Sequence, residues 1–184
     1  MTTSRHINFV FSAALFGHVG FCLAASVVQP RKASNAEFNA AMSAVEKVAR
    51  YFSSSGDTLK LEALISTSST GETKAFNTKN STIELAAFPL TNALSASSST
   101  LYVDSKNEEP RLLAMNVSGV CLSRKQFVGR YSDATLMSFP HGHSSEETYQ
   151  YRTVIDGVAI ISEFKEKSRD CMSAVKIQHA NEAS

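Results

Sequence analysis

The pair Asp156-Gly157 restricts the fold of this chain most, because it stands between two β-prone runs. A two-residue type I′ turn needs positive φ at both central residues, and Asp-Gly is a preferred sequence for it. The turn sets the register of a hairpin in which Ile155 faces Val158. One face of the hairpin is then apolar and is expected to lie in the core. The mixed face carries Gln150, Arg152, Ile161 and Glu163.

Two cysteines flank this region, and we predict that they form a disulfide. Cys121 and Cys171 are separated by 50 positions. Closing a loop of that size stabilises a fold by roughly 4 kcal/mol in the chain-entropy model. The alternative is a reactive Cys121 thiol beside a helix start, with His141 or His143 as base, but it requires Cys171 to stay unpaired. An exported chain with two cysteines usually oxidises them, which favours the disulfide.

The first 25 residues resemble an export signal. Arg5 supplies a positive start, Phe9–Phe16 is apolar, and small residues near Ala24 suit cleavage. A membrane anchor would need about 20 apolar residues, more than this stretch offers. A lipidated Cys22 normally follows a small residue, whereas Phe21 stands there. We therefore predict a cleaved signal peptide at 1–25, an extended lead at 26–33, a single domain at 34–180, and a periplasmic or secreted location.

Two helices are predicted from capping boxes, in which a serine and a residue three positions later satisfy each other's backbone amides. The first box is Ser34–Glu37 and the second is Ser123–Gln126. Apolar residues at helical spacing follow the first box and predict a core-facing stripe: Phe38, Ala41, Met42, Val45, Val48, Ala49 and Phe52.

Alternating apolar and polar residues predict strands at 58–66, 81–88 and 171–177. A mostly apolar, β-like run predicts another at 111–122, and 101–103 is a short strand candidate. The Ser- and Ala-rich run 90–100 is compatible with a loop or a poor helix, and 132–147 with a long polar loop. Together these patterns predict an α+β fold: an N-terminal helix and a short second helix packed on an antiparallel β-sheet. Residues 119–177 would form a helix plus a three-stranded subunit.

The order of elements in residues 120–177 resembles the small α+β unit of the BamE (SmpA/OmlA) outer-membrane lipoproteins and of β-lactamase-inhibitory-protein-like domains. The shared features are a capped helix after Cys121-Leu122, a Pro-containing loop, Tyr149-Gln150-Tyr151, a Gly turn and a final strand. In those families the sheet or its loops bind another protein. The Leu-Gly-x-Pro that usually follows the helix is replaced here by Tyr131-Ser132-Asp133, and no residue-level role is carried over.

His141 and His143 are the main candidates for chemistry. Two histidines one residue apart can share a metal on extended backbone, with Glu146, Glu147 or His179 as a third ligand, or they can belong to a solvated loop. The sequence has no phosphate-binding loop, no Gly-rich dinucleotide motif and no Gly-x-Ser-x-Gly elbow. We therefore assign no metal, no cofactor and no catalytic residue.

The net charge of the chain limits the class of partner that we expect. Removing Arg5 with the signal leaves equal numbers of basic and acidic residues, so no nucleic-acid partner is expected. We predict a protein-binding module whose partner is an envelope enzyme or a secreted toxin, and we consider the inhibitor or immunity class as its specific form. An envelope assembly factor and a small thiol- or metal-dependent hydrolase are the alternatives. The predicted partner-binding residues are His141, His143, Arg152, Ile161 and Glu163.

Overall fold

A computed structural model describes residues 29–55, 82–106, 109–144, 146–166 and 170–182. The predicted signal peptide and the predicted strand at 58–66 lie outside these residues.

The described chain forms two helices and one sheet. Helix α1 spans Asn35–Ser55 and helix α2 spans Arg124–Arg130. The strands are β1 (Thr82–Leu85), β2 (Phe88–Pro89), β3 (Leu94–Val103), β4 (Pro110–Gly119), β5 (Thr135–Ser138), β6 (Thr148–Ile155), β7 (Val158–Lys165) and β8 (Cys171–His179). All neighbours pair antiparallel in the order β1-β3-β4-β8-β7-β6-β5, and β2 also pairs with β3.

The predicted α+β class is wrong. The described residues are dominated by one eight-stranded antiparallel sheet with two helices, and 49% of them are strand against 24% helix. The difference arises in two runs that the sequence did not identify as strands. Most of the run 90–100 belongs to β3, and part of the supposed loop 132–147 is β5.

Strand β3 is Ser-rich, and its pairing with β4 explains why it is a strand. Its pattern places Leu94, Ala96, Leu101 and Val103 in the core, and its register with β4 runs from Leu94 opposite Gly119 to Val103 opposite Pro110. Small residues between these positions have little intrinsic preference for helix or strand. The long-range pairing therefore determines the structure, as it commonly does in sheets.

The hairpin prediction is confirmed. Asp156 and Gly157 have φ values of 51° and 79°, as a type I′ turn requires. The pairs across β6 and β7 are those that the turn sets, from Ile155 opposite Val158 to Tyr149 opposite Phe164. Alternation along the strands then defines two faces of the sheet.

Helix α1 packs on one face of the sheet, against β6, β7 and β8. All seven residues of its predicted apolar stripe are buried, and both capping boxes are present. Helix α2 lies on the same face, because Phe127 stacks against Tyr151 and Phe164 with ring centroids 6.2 and 5.5 Å apart. We call the opposite face, which carries Arg152, Ile161 and Glu163, the open face.

Candidate protein-binding surface

The predicted disulfide is confirmed. Cys121 and Cys171 are bonded, with Cα atoms 5.0 Å apart. The bridge joins the entry of α2 to the start of β8, and two backbone hydrogen bonds flank it: Met172 donates to Leu122 at 2.8 Å and Arg124 to Asp170 at 2.9 Å. Since both sulfurs are in the bond, Cys121 has no free thiol to act as a nucleophile in this structure.

A buried carboxylate fixes α2 to α1. Glu46, in α1, accepts a hydrogen bond from the Tyr131 hydroxyl at 2.5 Å and pairs with Arg130 at 2.9 Å. Burial raises the pKa of Tyr131 above its ordinary value, and the hydrogen bond to Glu46 adds to the effect. Burial also works to raise the pKa of Glu46, but Tyr131 and Arg130 outweigh it and hold that pKa below the ordinary value. The second helix is thereby held in place beside the outer strands of the sheet.

Strand β5 is the last strand at one edge of the sheet, and its side chains are exposed. It pairs only with β6 among the described residues, with a register shift between Leu136 and Ser138. The exposed fractions are 45% for Leu136, 46% for Met137 and 53% for Phe139. From 134 to 145 the sequence contains no Asp, Glu, Lys or Arg. The edge therefore presents apolar side chains and unpaired backbone groups together.

The sequence prediction missed this strand. Its signal is a short β-prone run, Thr135-Leu136-Met137-Ser138-Phe139, between Asp133 and Pro140. It was overlooked because the surrounding residues are polar and the run is too short to show alternation. The predicted binding loop 132–147 therefore contains an edge strand as well as a loop.

The histidine loop is organised around Glu147. The carboxylate accepts hydrogen bonds from the backbone N–H groups of His141, Gly142, His143 and Ser144, three of them at 3.0 Å. Burial acts against ionisation here, but these four donors hold the pKa of Glu147 below its ordinary value. The rings of Phe139 and His141 are in contact, with centroids 4.7 Å apart. The loop continues the surface of β5.

The three candidates for a third metal ligand are engaged elsewhere. Glu147 binds backbone amides, Glu146 pairs with Lys165 at 2.6 Å, and His179 stacks on Phe52 with centroids 5.3 Å apart. Among the described residues, no group of three His, Cys, Asp or Glu side chains is placed to hold a metal ion.

The open-face candidates are arranged differently from the prediction. Ile161 was expected to be exposed, and this is wrong: it is 8% exposed. It lies between Arg152 and Lys176, whose aliphatic stems are long enough to cover it. Arg152 donates to the Ala180 carbonyl at 3.0 Å, and Glu163 pairs with Lys176 at 2.6 Å. These three residues therefore make contacts within the molecule, whereas the side chains of β5 are largely exposed.

No protein-family model, curated protein or solved structure matches this chain. The resemblance of residues 120–177 to BamE-like and β-lactamase-inhibitory-protein-like units stays a prediction. Within the part of the chain that the structure describes, no helix is long and apolar enough to cross a membrane.

Proposed function

We propose that this chain is an exported protein-binding domain of the inhibitor or immunity type, which holds a partner protein at the edge strand β5. The observation that carries the proposal is the exposure of Leu136 and Met137 on edge strand β5 and of Phe139 directly after it. The Cys121–Cys171 disulfide and the signal-like residues 1–25 support export to an oxidising compartment.

The chemistry of β5 favours an extended segment of the partner. An exposed edge strand offers unpaired N–H and C=O groups, which natural proteins usually protect with charged residues. The run 134–145 has no such charge. A partner strand added to this edge gains main-chain hydrogen bonds, and the apolar side chains of β5 supply contacts that select its sequence.

A second copy of this chain is a poorer occupant for the edge. A large side chain buries roughly 150–250 Å². Leu136, Met137 and Phe139 are each about half exposed, so together they offer on the order of 300 Å² of surface for burial per copy. A stable interface buries about 800 Å² per partner. A larger partner can extend its contacts onto the adjoining loop with Phe139 and His141.

The test is affinity capture from a periplasmic extract, followed by re-forming the complex from purified components. The mature chain should begin between Ala25 and Val28 by mass spectrometry and bind one partner in a one-to-one complex. The double variant Leu136→Lys/Phe139→Lys should weaken binding at least about tenfold, because charge is placed in an apolar contact. Hydrogen exchange should show that the β5 amides become protected in the wild-type complex.

Tyr102→Lys is the matched control, since Tyr102 is 42% exposed on β3, near the other edge of the sheet. It should bind like the wild type. Unchanged affinity in the β5 double variant would contradict the proposal. Concentration-dependent dimers of the purified chain that the β5 variant abolishes would assign the edge to a second copy instead.

A further inference from the structure

A groove of about 660 Å³ runs between the start of α1 and helix α2, on the helix-covered side of the molecule. Its polar lining includes Lys32, Asn35, Asn39, Lys125, Gln126 and Arg130. Three of these residues are cationic, and no acidic residue lines the groove. In a chain with a formal net charge of +1, this is a local concentration of positive charge rather than a consequence of composition.

Side chains around the groove keep hydrogen-bond donors that a ligand could use. The Asn35 side-chain oxygen accepts from Gln126 Nε2 at 3.2 Å, and the Asn39 oxygen accepts from Arg130 at 3.0 Å. Each asparagine therefore has its NH₂ group left to offer. Arg130 is paired with Glu46, but neither Lys32 nor Lys125 has an acidic partner among the described residues. Considering the described residues alone, the groups left to bind a ligand are two ammonium groups and two amide donors.

The position of Lys125 is unfavourable for α2 itself. The first turn of this helix contains no acidic residue and two basic ones, Arg124 and Lys125. Cations near a helix N-terminus are destabilised by the macrodipole. Arg124 is compensated by Asp170 at 3.1 Å and by the Tyr149 ring, whose centroid lies 3.8 Å away. Lys125 has no comparable compensating partner among the described residues.

Gly129 lies on the α2 side of the groove and places no side chain there. It lines the groove, its φ is not in the left-handed region, and a Cβ added there would meet no atom within 4 Å. Alanine would fit the helix and is a better helix former than glycine. The backbone at 129 would therefore accept alanine, and the added methyl group would belong to a residue that lines the groove.

We infer that this groove binds an acidic polypeptide segment, whose clustered carboxylates are received by Lys32, Lys125, Asn35 and Asn39. Carboxylates accept hydrogen bonds and donate none when ionised, which suits a lining that includes two ammonium groups and two amide NH₂ groups. The donors are spread over the lead segment, α1 and α2, so they suit an extended ligand with several carboxylates better than one small anion. The site is separate from β5 and does not rest on the proposed strand addition.

The test is calorimetric titration of the purified mature chain with an acetylated hexaglutamate peptide at low and physiological salt. Binding should weaken as salt rises, because these exposed charges are screened. Lys32→Ala and Lys125→Ala should each lower affinity about two- to fivefold, the range of exposed ion pairs. The double charge reversal Lys32→Glu/Lys125→Glu should abolish binding. Unchanged affinity in that variant would overturn the proposal.

Three controls separate this role from a structural one. Lys47→Glu alters an exposed lysine of α1 outside the groove and should bind normally. Gly129→Ala should raise the melting temperature and still lower affinity, a combination that damage to the fold cannot produce. The β5 variant Leu136→Lys/Phe139→Lys should keep hexaglutamate binding. Inorganic phosphate that binds as tightly as hexaglutamate would overturn the assignment to a peptide.

Discussion

At the scale of single residues, the contact between Tyr131 and Glu46 is the polar interaction most sensitive to change. The hydroxyl lies 2.5 Å from a carboxylate whose side chain is 11% exposed. A hydrogen bond to a buried charge contributes about 1.5–3 kcal/mol. We expect Tyr131→Phe to lower the free energy of unfolding by that amount at neutral pH, as measured by urea titration. Tyr102→Phe, which removes an exposed hydroxyl, should change it little.

The same contact predicts a pH dependence. The pKa of Glu46 is held below its ordinary value in the folded state, so its ionised form stabilises the fold near neutral pH. This contribution is lost as the pH falls through the lower folded pKa. The stability difference between wild type and Tyr131→Phe should therefore be constant near neutrality and shrink below about pH 4.5. A difference that persists unchanged into acid would show that the hydroxyl acts by packing alone.

At the scale of elements, the disulfide between the entry of α2 and the start of β8 should contribute most. The loop it closes has a sequence separation of 50. In the chain-entropy model this corresponds to about 4 kcal/mol, a large share of a typical domain's stability of about 5–15 kcal/mol. Cys121→Ala/Cys171→Ala should therefore unfold at a much lower urea concentration than the oxidised chain. Reductant should move the wild type towards the variant and leave the variant unchanged.

Elements with a local chemical cause were predictable from the sequence. Asp156-Gly157 set the hairpin register, and the serines at 34 and 123 set both helix starts, because turn and cap chemistry acts over a few residues. Most of strand β3 and all of β5 were missed because partner strands outside the local sequence stabilise them. Ser-rich β3 depends on β4, and β5 depends on β6. The fold class was wrong for this reason, since those strands enlarge the sheet.

The candidate surfaces depend on exposure, which spacing alone does not give. The sequence placed Ile161 correctly on the mixed face of the hairpin, but it did not show that Arg152 and Lys176 flank it and leave it buried. The sequence identified the segment 132–147 as a long loop because most of its residues are polar. The structure shows instead that the apolar residues within that segment are exposed. The groove between α1 and α2 brings Lys32 beside Lys125, residues that no local pattern relates.

At the scale of the whole molecule, the two halves of the sheet are joined at its centre. Strand β8, the last in sequence, lies between β4 and β7, so residues 119–177 share backbone hydrogen bonds with the preceding part of the chain. The buried apolar residues form one cluster that includes Leu113 on β4 and Phe164 on β7. Because strand pairing and core both cross between the halves, we expect a single cooperative unfolding transition.

The positions of the tyrosines allow this cooperativity to be tested with one substitution. The chain has no tryptophan, and three of its five tyrosines, Tyr131, Tyr149 and Tyr151, lie at α2 and β6. Leu113 is fully buried on β4, so Leu113→Ala should cost about 2–5 kcal/mol. In urea titrations, the free energies of unfolding measured by tyrosine fluorescence and by far-UV circular dichroism should both fall by that amount. Leu112→Ala, on the open face, should shift both only slightly. If Leu113→Ala moved the dichroism transition and left the fluorescence transition in place, residues 119–177 would be shown to unfold as a separate unit.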